Sequence, residues 1–208
     1  GLLLKDLYTM RQYGKTMLLM LIFFGVISAG LDNPAIFFES FIILMSTTLA
    51  ITSFSYDTAA KWDRYALSLP VTRKEVVASK YLLSILLCLV GTAFSFPISA
   101  LALTIRPAEG FGLREHLYTT GALLCAAAFF ISILLPLTFR FGVEKGRILI
   151  FALFAAPGAI VIALSKLGVP LPSESTLLGL AKLLPVAVVL LYLFSYFLSV
   201  RIYAKKEI

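Results

Sequence analysis

Six long apolar runs constrain the fold of this chain more than any other feature of its sequence. They cover residues 16–31, 35–56, 77–105, 117–139, 148–165 and 182–200. A helix needs about 20 apolar residues to cross the hydrocarbon core of a bilayer, and the first and fifth runs are on the short side of that length. The chain is 60% hydrophobic and 14% charged, whereas about half of a soluble domain is apolar and a quarter charged. The sequence therefore predicts an all-α membrane protein with six transmembrane helices in a single domain over residues 1–208.

The positions of lysine and arginine predict the orientation of these helices. If the amino terminus is cytoplasmic, the inner segments hold 14 of the 18 basic residues and the outer segments hold four, Arg106, Arg114, Lys166 and Lys182. Cytoplasmic loops are enriched in lysine and arginine, so both termini are predicted to be cytoplasmic. The basic residues lie at the ends of apolar runs and not on one soluble face, which argues against nucleic-acid binding despite the net charge of +7.

Residues 1–15 carry an amphipathic pattern ahead of the first apolar run. Apolar positions alternate with charged and polar ones: Leu3, Leu4, Leu7, Tyr8 and Met10 against Lys5, Asp6, Arg11 and Gln12. Such a pattern predicts a helix lying in the headgroup region of the membrane. A frayed amino-terminal tail is the alternative.

Charged and aromatic residues are concentrated in the longest polar interruption of the chain, residues 53–81. Pro70 ends any helix that reaches it, since proline has no backbone donor with which to continue one. Thr72 and Glu75 are spaced as a capping box, in which a hydroxyl and a carboxylate each bind an otherwise unpaired backbone amide. The stretch therefore predicts a short helix, a sharp corner and a second helix at the cytoplasmic surface.

Within this interruption, the strings WDRY (62–65), LSLPV (67–71), RKEVV (73–77) and SKY (79–81) resemble the cytoplasmic loop of small bacterial ABC-2 type transporter permeases. The rest of the chain is similar to that family only in its six-span layout and its length. The resemblance implies a permease domain whose loop, residues 57–76, carries a coupling helix between the second and third transmembrane helices. That helix would dock on a separate cytoplasmic ABC ATPase subunit.

The same resemblance implies a function in the bacterial cytoplasmic membrane. It implies export of an amphipathic or hydrophobic substrate, such as a peptide, an antimicrobial or a drug. ATP and Mg would be bound by the partner ATPase, and no cofactor is expected in this chain. One six-helix chain would be half of a pathway, so a second copy of the permease is expected as a partner.

The docking residues that the resemblance implies are aromatic, apolar and charged: Trp62, Asp63, Arg64, Tyr65, Leu67, Leu69, Arg73 and Lys74. Buried aromatic residues dominate the energetics of protein interfaces, whereas charges at the rim mostly steer association. The apolar members are therefore expected to fill a groove on the ATPase, and the charged members to fix the register.

A polar stripe in the second apolar run is the candidate wall of a translocation path. Glu39, Ser46 and Ser53 are spaced by seven residues, which places them on one face of a helix. A carboxylate within a membrane is costly and usually faces protein or water. In the alternative interpretation, Glu39 reaches the nearby outer interface while the serines bind their own backbone.

The third run carries small residues at intervals of three or four: Ser84, Cys88, Gly91, Ser95 and Ser99. Small residues allow membrane helices to approach each other closely. This face is therefore predicted to pack against another helix.

Reactive groups for catalysis are scarce. His116 is the only histidine, and it is interpreted as a polar residue at the outer interface. Neither cysteine has metal-ligand spacing, and no hydrolase or metalloprotease motif occurs. The chain is predicted to be neither an enzyme nor a metal protein. Two other functions stay open: the six-span substrate-binding subunit of a vitamin importer, and a structural membrane protein without transport.

Overall fold

A computed structural model describes residues 1–11, 14–28, 30–31, 33–66, 68–105, 112–143, 145 and 174–205, together with scattered positions between 152 and 167. All regular secondary structure in this part of the chain is helical, and it contains no strand. The fifth apolar run, residues 148–165, lies mostly outside the described residues.

Seven helices follow one another in the part of the chain that the structure describes. They are α1 (Leu2–Met10), α2 (Gly14–Ser28), α3 (Pro34–Ala59), α4 (Trp62–Ala66), α5 (Arg73–Ile105), α6 (Leu113–Phe141) and α7 (Glu174–Ala204). Four of them, α3, α5, α6 and the Lys182–Ala204 part of α7, are long and apolar enough to cross a membrane. The 15 residues of α2 extend about 22 Å, less than the roughly 30 Å of a bilayer core. Four of the six predicted spans thus correspond to helices with the length and hydropathy of a membrane span.

The amino-terminal helix is shorter than its sequence pattern suggests. The pattern predicts one helix over residues 1–15, but α1 ends at Met10 and α2 already begins at Gly14. In α1 the carboxylate of Asp6 is buried, whereas Leu4 and Tyr8 are exposed. This is the reverse of a helix on a soluble protein, and a membrane surface is an environment that suits the exposed leucine and tyrosine.

The chain divides into two units, Gly1–Ala127 and Ala128–Glu207. In the first unit, α3 packs along α5. The predicted small-residue face of α5 is buried in this unit, as expected: Ser84, Cys88, Gly91, Ser95 and Ser99. At Gly91, an added Cβ would overlap the Oγ of Ser46 and lie 3.2 Å from its Cβ. Only a residue without a side chain lets α5 approach Ser46 of α3 this closely.

In the second unit, the carboxyl-terminal part of α6 contacts α7. Ser195 donates a hydrogen bond to the carbonyl oxygen of Ser132 across 2.5 Å. Near the ends of the two helices, the rings of Phe139 and Tyr203 meet edge to face, with centroids 5.5 Å apart. Gly142 follows α6 with a φ of 80°, a left-handed conformation that glycine adopts readily at the end of a helix.

The polar stretch between α3 and α5 folds as a helix, a corner and a helix. The short helix α4 ends at Ala66, before Pro70. At the start of α5, the backbone amide of Thr72 donates to Oε2 of Glu75 across 2.7 Å, and the amide of Glu75 donates to Oγ1 of Thr72 across 3.3 Å. The predicted capping box is confirmed.

Candidate functional site

Four charged side chains form a closed ring where α1, α3 and α5 meet. Two are lysines and two are aspartates: Lys5 and Asp6 of α1, Asp57 of α3 and Lys80 of α5. Asp57 precedes the helix–corner–helix stretch and Lys80 follows it. The ion pair between them therefore joins the two ends of that stretch. Under the predicted orientation it lies at the cytoplasmic end of the helices.

Lys80 is the most enclosed member of the charge ring, with 3% of its side chain exposed. Its Nζ lies 3.0 Å from each oxygen of Asp6, 2.5 Å from Oδ2 of Asp57 and 3.1 Å from Oγ of Ser53. An ammonium group has three protons to donate, and these acceptors occupy all of them. The amino end of α5 is thereby attached to both α1 and α3.

Lys5 closes the charge ring from the other side. Its Nζ lies 2.6 Å from Oδ1 of Asp57 and 3.2 Å from Oδ1 of Asp6. The two aspartates therefore each bridge both lysines, and the four formal charges sum to zero. Replacing one partner of such a buried pair typically costs about 3–5 kcal/mol, because the remaining charge stays buried without compensation.

The charge ring also holds the short helix α4. Nζ of Lys5 lies 4.0 Å from the centre of the Trp62 ring, a cation–π contact. Trp62 and Tyr65 lie side by side with ring centroids 5.7 Å apart. Through Trp62, α4 is anchored to α1 and so to the inner ends of α3 and α5.

The predicted docking residues differ in how far they are accessible. Tyr65 is 61% exposed and Lys74 is exposed, whereas Trp62, Leu69 and Arg73 are half-buried. Three of the predicted docking residues are not among those that the structure describes in full: Leu67, and the side chains of Asp63 and Arg64. Docking stays a prediction for the whole set, with Tyr65 as its most exposed aromatic member.

The three residues predicted to line a translocation path are all buried within this chain. Ser46 and Ser53 donate hydrogen bonds of 2.9 Å to the carbonyls of Ile42 and Ala50. The expectation that these serines bind their own backbone is confirmed. The lining role of Glu39, Ser46 and Ser53 stays a prediction.

Glu39 belongs to a second buried cluster, which joins α3, α5 and α6. Thr120 donates to Oε1 of Glu39 across 2.8 Å, and Nδ1 of His116 lies 3.5 Å from Oε2. On its other side, Nε2 of His116 is 3.0 Å from Oγ of Ser99, and the imidazole stacks on Phe96 with centroids 4.8 Å apart. Each of the three helices contributes one polar side chain or more.

This second cluster corrects two interpretations of the sequence. Glu39 does not reach the outer interface, because it is fully buried and accepts a hydrogen bond from Thr120. His116 is not an interfacial polar residue, since it too is fully buried. The spacing of four between His116 and Thr120 was a usable signal, because it places both on one face of a helix.

Sequence reasoning missed the charge ring entirely. Lys5 and Asp6 were interpreted as part of an amphipathic pattern and Lys80 as part of the SKY string, and both lysines as indicators of orientation, but none of the three was assigned a partner. Asp6 and Lys80 are 74 residues apart, so no local spacing connects them. A buried lysine at the start of a membrane helix becomes meaningful only once its acidic partners are located.

Comparison with protein-family models gives a match over almost the whole chain. The sequence model of a family described as ABC-2 family transporter protein covers residues 1–204. Those residues include all seven described helices. No curated protein and no solved structure matches the chain significantly.

Proposed function

Because the chain belongs to the ABC-2 family of transporter proteins, we propose that it is the membrane-spanning permease subunit of an ATP-binding-cassette exporter. Permeases of this family generally work with an ATPase subunit at the membrane. In this proposal a separate cytoplasmic ATPase binds ATP and Mg and hydrolyses the ATP. The chain itself contributes a path and a docking surface and no catalytic residue.

The observation that carries the proposal is the way α4 is presented. The short helix exposes Tyr65 while Trp62 is held against Lys5 and the charge ring. A large aromatic side chain on a firmly anchored helix is the kind of group that dominates protein interfaces. A groove on the ATPase that receives Tyr65 and Leu69 accounts for this arrangement, with Lys74 near the rim.

The charge ring suggests how movement of the ATPase reaches the membrane. Force applied to α4 passes through Trp62 to Lys5, and from Lys5 through the aspartates to Lys80. α1, α3 and α5 then move together at their inner ends, because ion pairs at 2.5–3.2 Å tie all three. The proposal assigns the ring a positioning role between docking surface and membrane helices.

The substrate and the path are further parts of the proposal. The substrate is an amphipathic peptide, antimicrobial or drug, which passes between two copies of the chain, each contributing six spans in a bacterial cytoplasmic membrane. Glu39, Ser46 and Ser53 line that path only in a state in which α3 moves away from its neighbours, since all three are buried here.

Co-purification from detergent-solubilised membranes tests the proposal. The parent chain is compared with Tyr65→Ala plus Leu69→Ala, and bound proteins are identified by mass spectrometry. Trp62 is left intact because its replacement also removes the contact with Lys5. Tyr118→Ala is the matched control, since Tyr118 is 66% exposed and Tyr65 61%, but Tyr118 is predicted to lie near the outer face.

We expect the parent and the control to retain a cytoplasmic ATPase and the double variant to lose it. Stimulation of the ATPase by the permease should fall in parallel. A parent that purifies without an ATPase contradicts the proposed function. A double variant that retains the ATPase fully contradicts the assignment of α4 as the docking helix.

A further inference from the structure

A cavity of about 410 Å³ opens between the ends of α6 and α7. Among the described residues, two basic and two apolar side chains line it: Arg140 and Phe139 from α6, Ile202 from α7 and Lys205 just beyond it. Phe139 is buried and packs edge to face on Tyr203, which is also buried. This packing holds the ring of Phe139 in place in the cavity wall. Arg140 and Lys205, by contrast, are exposed.

The two chain segments that contribute Arg140 and Lys205 are basic in sequence. Residues 140–147 contain Arg140, Lys145 and Arg147 against one acidic residue, and residues 201–208 contain Arg201, Lys205 and Lys206 against one. Neither Arg140 nor Lys205 forms an ion pair with a described residue, and the guanidinium of Arg140 lies 5.2 Å from the ring of Phe141. Two cations that converge on one cavity complement an anion.

The cavity lies where two membrane helices leave the hydrocarbon. The predicted spans of α6 and α7 end at Phe141 and Ala204, and the distribution of lysine and arginine assigns both ends to the cytoplasmic side. Towards the membrane interior, Leu198 and Phe194 precede Ile202 by four and eight residues, so they share its face of α7. Both are exposed.

We propose that this cavity binds the phosphate headgroup of an anionic phospholipid from the inner leaflet. Arg140 and Lys205 contact the phosphate, and an acyl chain follows Ile202, Leu198 and Phe194 along α7. Basic sites between membrane helices on the cytoplasmic side suit anionic headgroups. The apolar track distinguishes a lipid from a free anion, because inorganic phosphate gains nothing from exposed leucine and phenylalanine.

Lipid titration of the purified protein tests this site. Phosphatidylglycerol and phosphatidylcholine with identical acyl chains are added separately, and bound lipid is counted by native mass spectrometry. The site variant is Arg140→Gln plus Lys205→Gln. The matched control is Lys145→Gln plus Arg201→Gln, which removes the same charge from two exposed residues at the same helix ends that do not line the cavity.

We expect the parent and the control to prefer phosphatidylglycerol, and the site variant to bind it about thirtyfold more weakly, from about fivefold per basic residue. Unfolding without added lipid checks that all three proteins are folded alike. If the site variant and the control lose affinity for phosphatidylglycerol equally, or if the parent does not prefer phosphatidylglycerol over phosphatidylcholine, the proposed site is wrong. Competition by millimolar inorganic phosphate that displaces the lipid completely overturns the assignment to a lipid. The outcome does not depend on whether an ATPase is recovered.

Discussion

At the scale of single residues, Lys80 has the largest predicted effect on stability. Lys80→Met leaves the carboxylates of Asp6 and Asp57 with Lys5 as their one remaining cation in the charge ring. We expect the free energy of unfolding to fall by about 3 kcal/mol, as for other buried pairs that lose one partner. Denaturant unfolding in detergent measures the change.

Lys15→Met is the control for this substitution, because Lys15 is exposed at the start of α2. Its effect should stay within about 0.5 kcal/mol. Equal stabilities of the two variants would show that the charge ring adds nothing to the fold.

Thr120 is the residue that tests the second buried cluster. Thr120→Val keeps the shape of the side chain and removes the donor to Glu39. Hydrogen bonds between membrane helices average about 0.6 kcal/mol, and an unsatisfied buried group costs about 1–3 kcal/mol. We expect a loss of about 1 kcal/mol in the free energy of unfolding.

Thr119→Val is the matched control for Thr120→Val. Thr119 is half-buried, and its hydroxyl donates to the carbonyl of Glu115 in its own helix and to no residue of another helix that the structure describes. A loss as large in the control as at Thr120 would place the effect in the helix itself rather than in the bond to Glu39.

How well a contact could be predicted from sequence depends on how far apart its two residues lie along the chain. Thr72 and Glu75 are three residues apart, and the pattern alone predicted their reciprocal bonds. Glu39 and Thr120 are 81 residues apart, and their contact depends on how α3 and α6 pack. Sequence reasoning identified Glu39 as a costly carboxylate within the membrane but left its surroundings open, and it had no means of naming Thr120 as its hydrogen-bond donor.

At the scale of helices, Gly91 controls how closely α3 and α5 pack. Gly91→Ala places a methyl group against Ser46, and overpacking of this kind costs about 1–3 kcal/mol. Unfolding in detergent should show that loss. Adding Ser46→Ala should recover part of it, because the Oγ disappears while the Cβ remains.

Gly121→Ala is the control on α6, since an added Cβ there meets no atom within 4 Å. We expect no loss of stability from it. If Gly91→Ala and Gly121→Ala lower the free energy of unfolding by the same amount, close packing of α3 on α5 does not explain the glycine at position 91.

The helices themselves were predictable to different degrees. Length and hydropathy found α3, α5, α6 and most of α7, because each apolar run is about as long as a membrane span. The break between α1 and α2 was missed, because no proline and no obvious stop signal separates Met10 from Gly14. The short helix α4 was expected from its composition, but its anchoring through Lys5 was not.

At the scale of the whole molecule, the orientation in the membrane is open to direct measurement. Single cysteines are introduced at Ala60 and at Leu113, both exposed, in a chain whose Cys88 and Cys125 are replaced by alanine. A membrane-impermeant maleimide added to intact cells should label Leu113→Cys only. Permeabilised cells should label both, and the reverse pattern in intact cells would invert the predicted topology.

The charge ring also sets an order of events while the chain is being made. Asp6 emerges from the ribosome 74 residues ahead of Lys80, a gap of about 4–15 s at about 5–20 residues per second. During that interval, the carboxylate of Asp6 has Lys5 beside it but no lysine of α5 to bind, so the charge ring cannot yet close. Of the three helices that the charge ring connects, α1 is therefore synthesised first, and it reaches its final place only after α5 has been made.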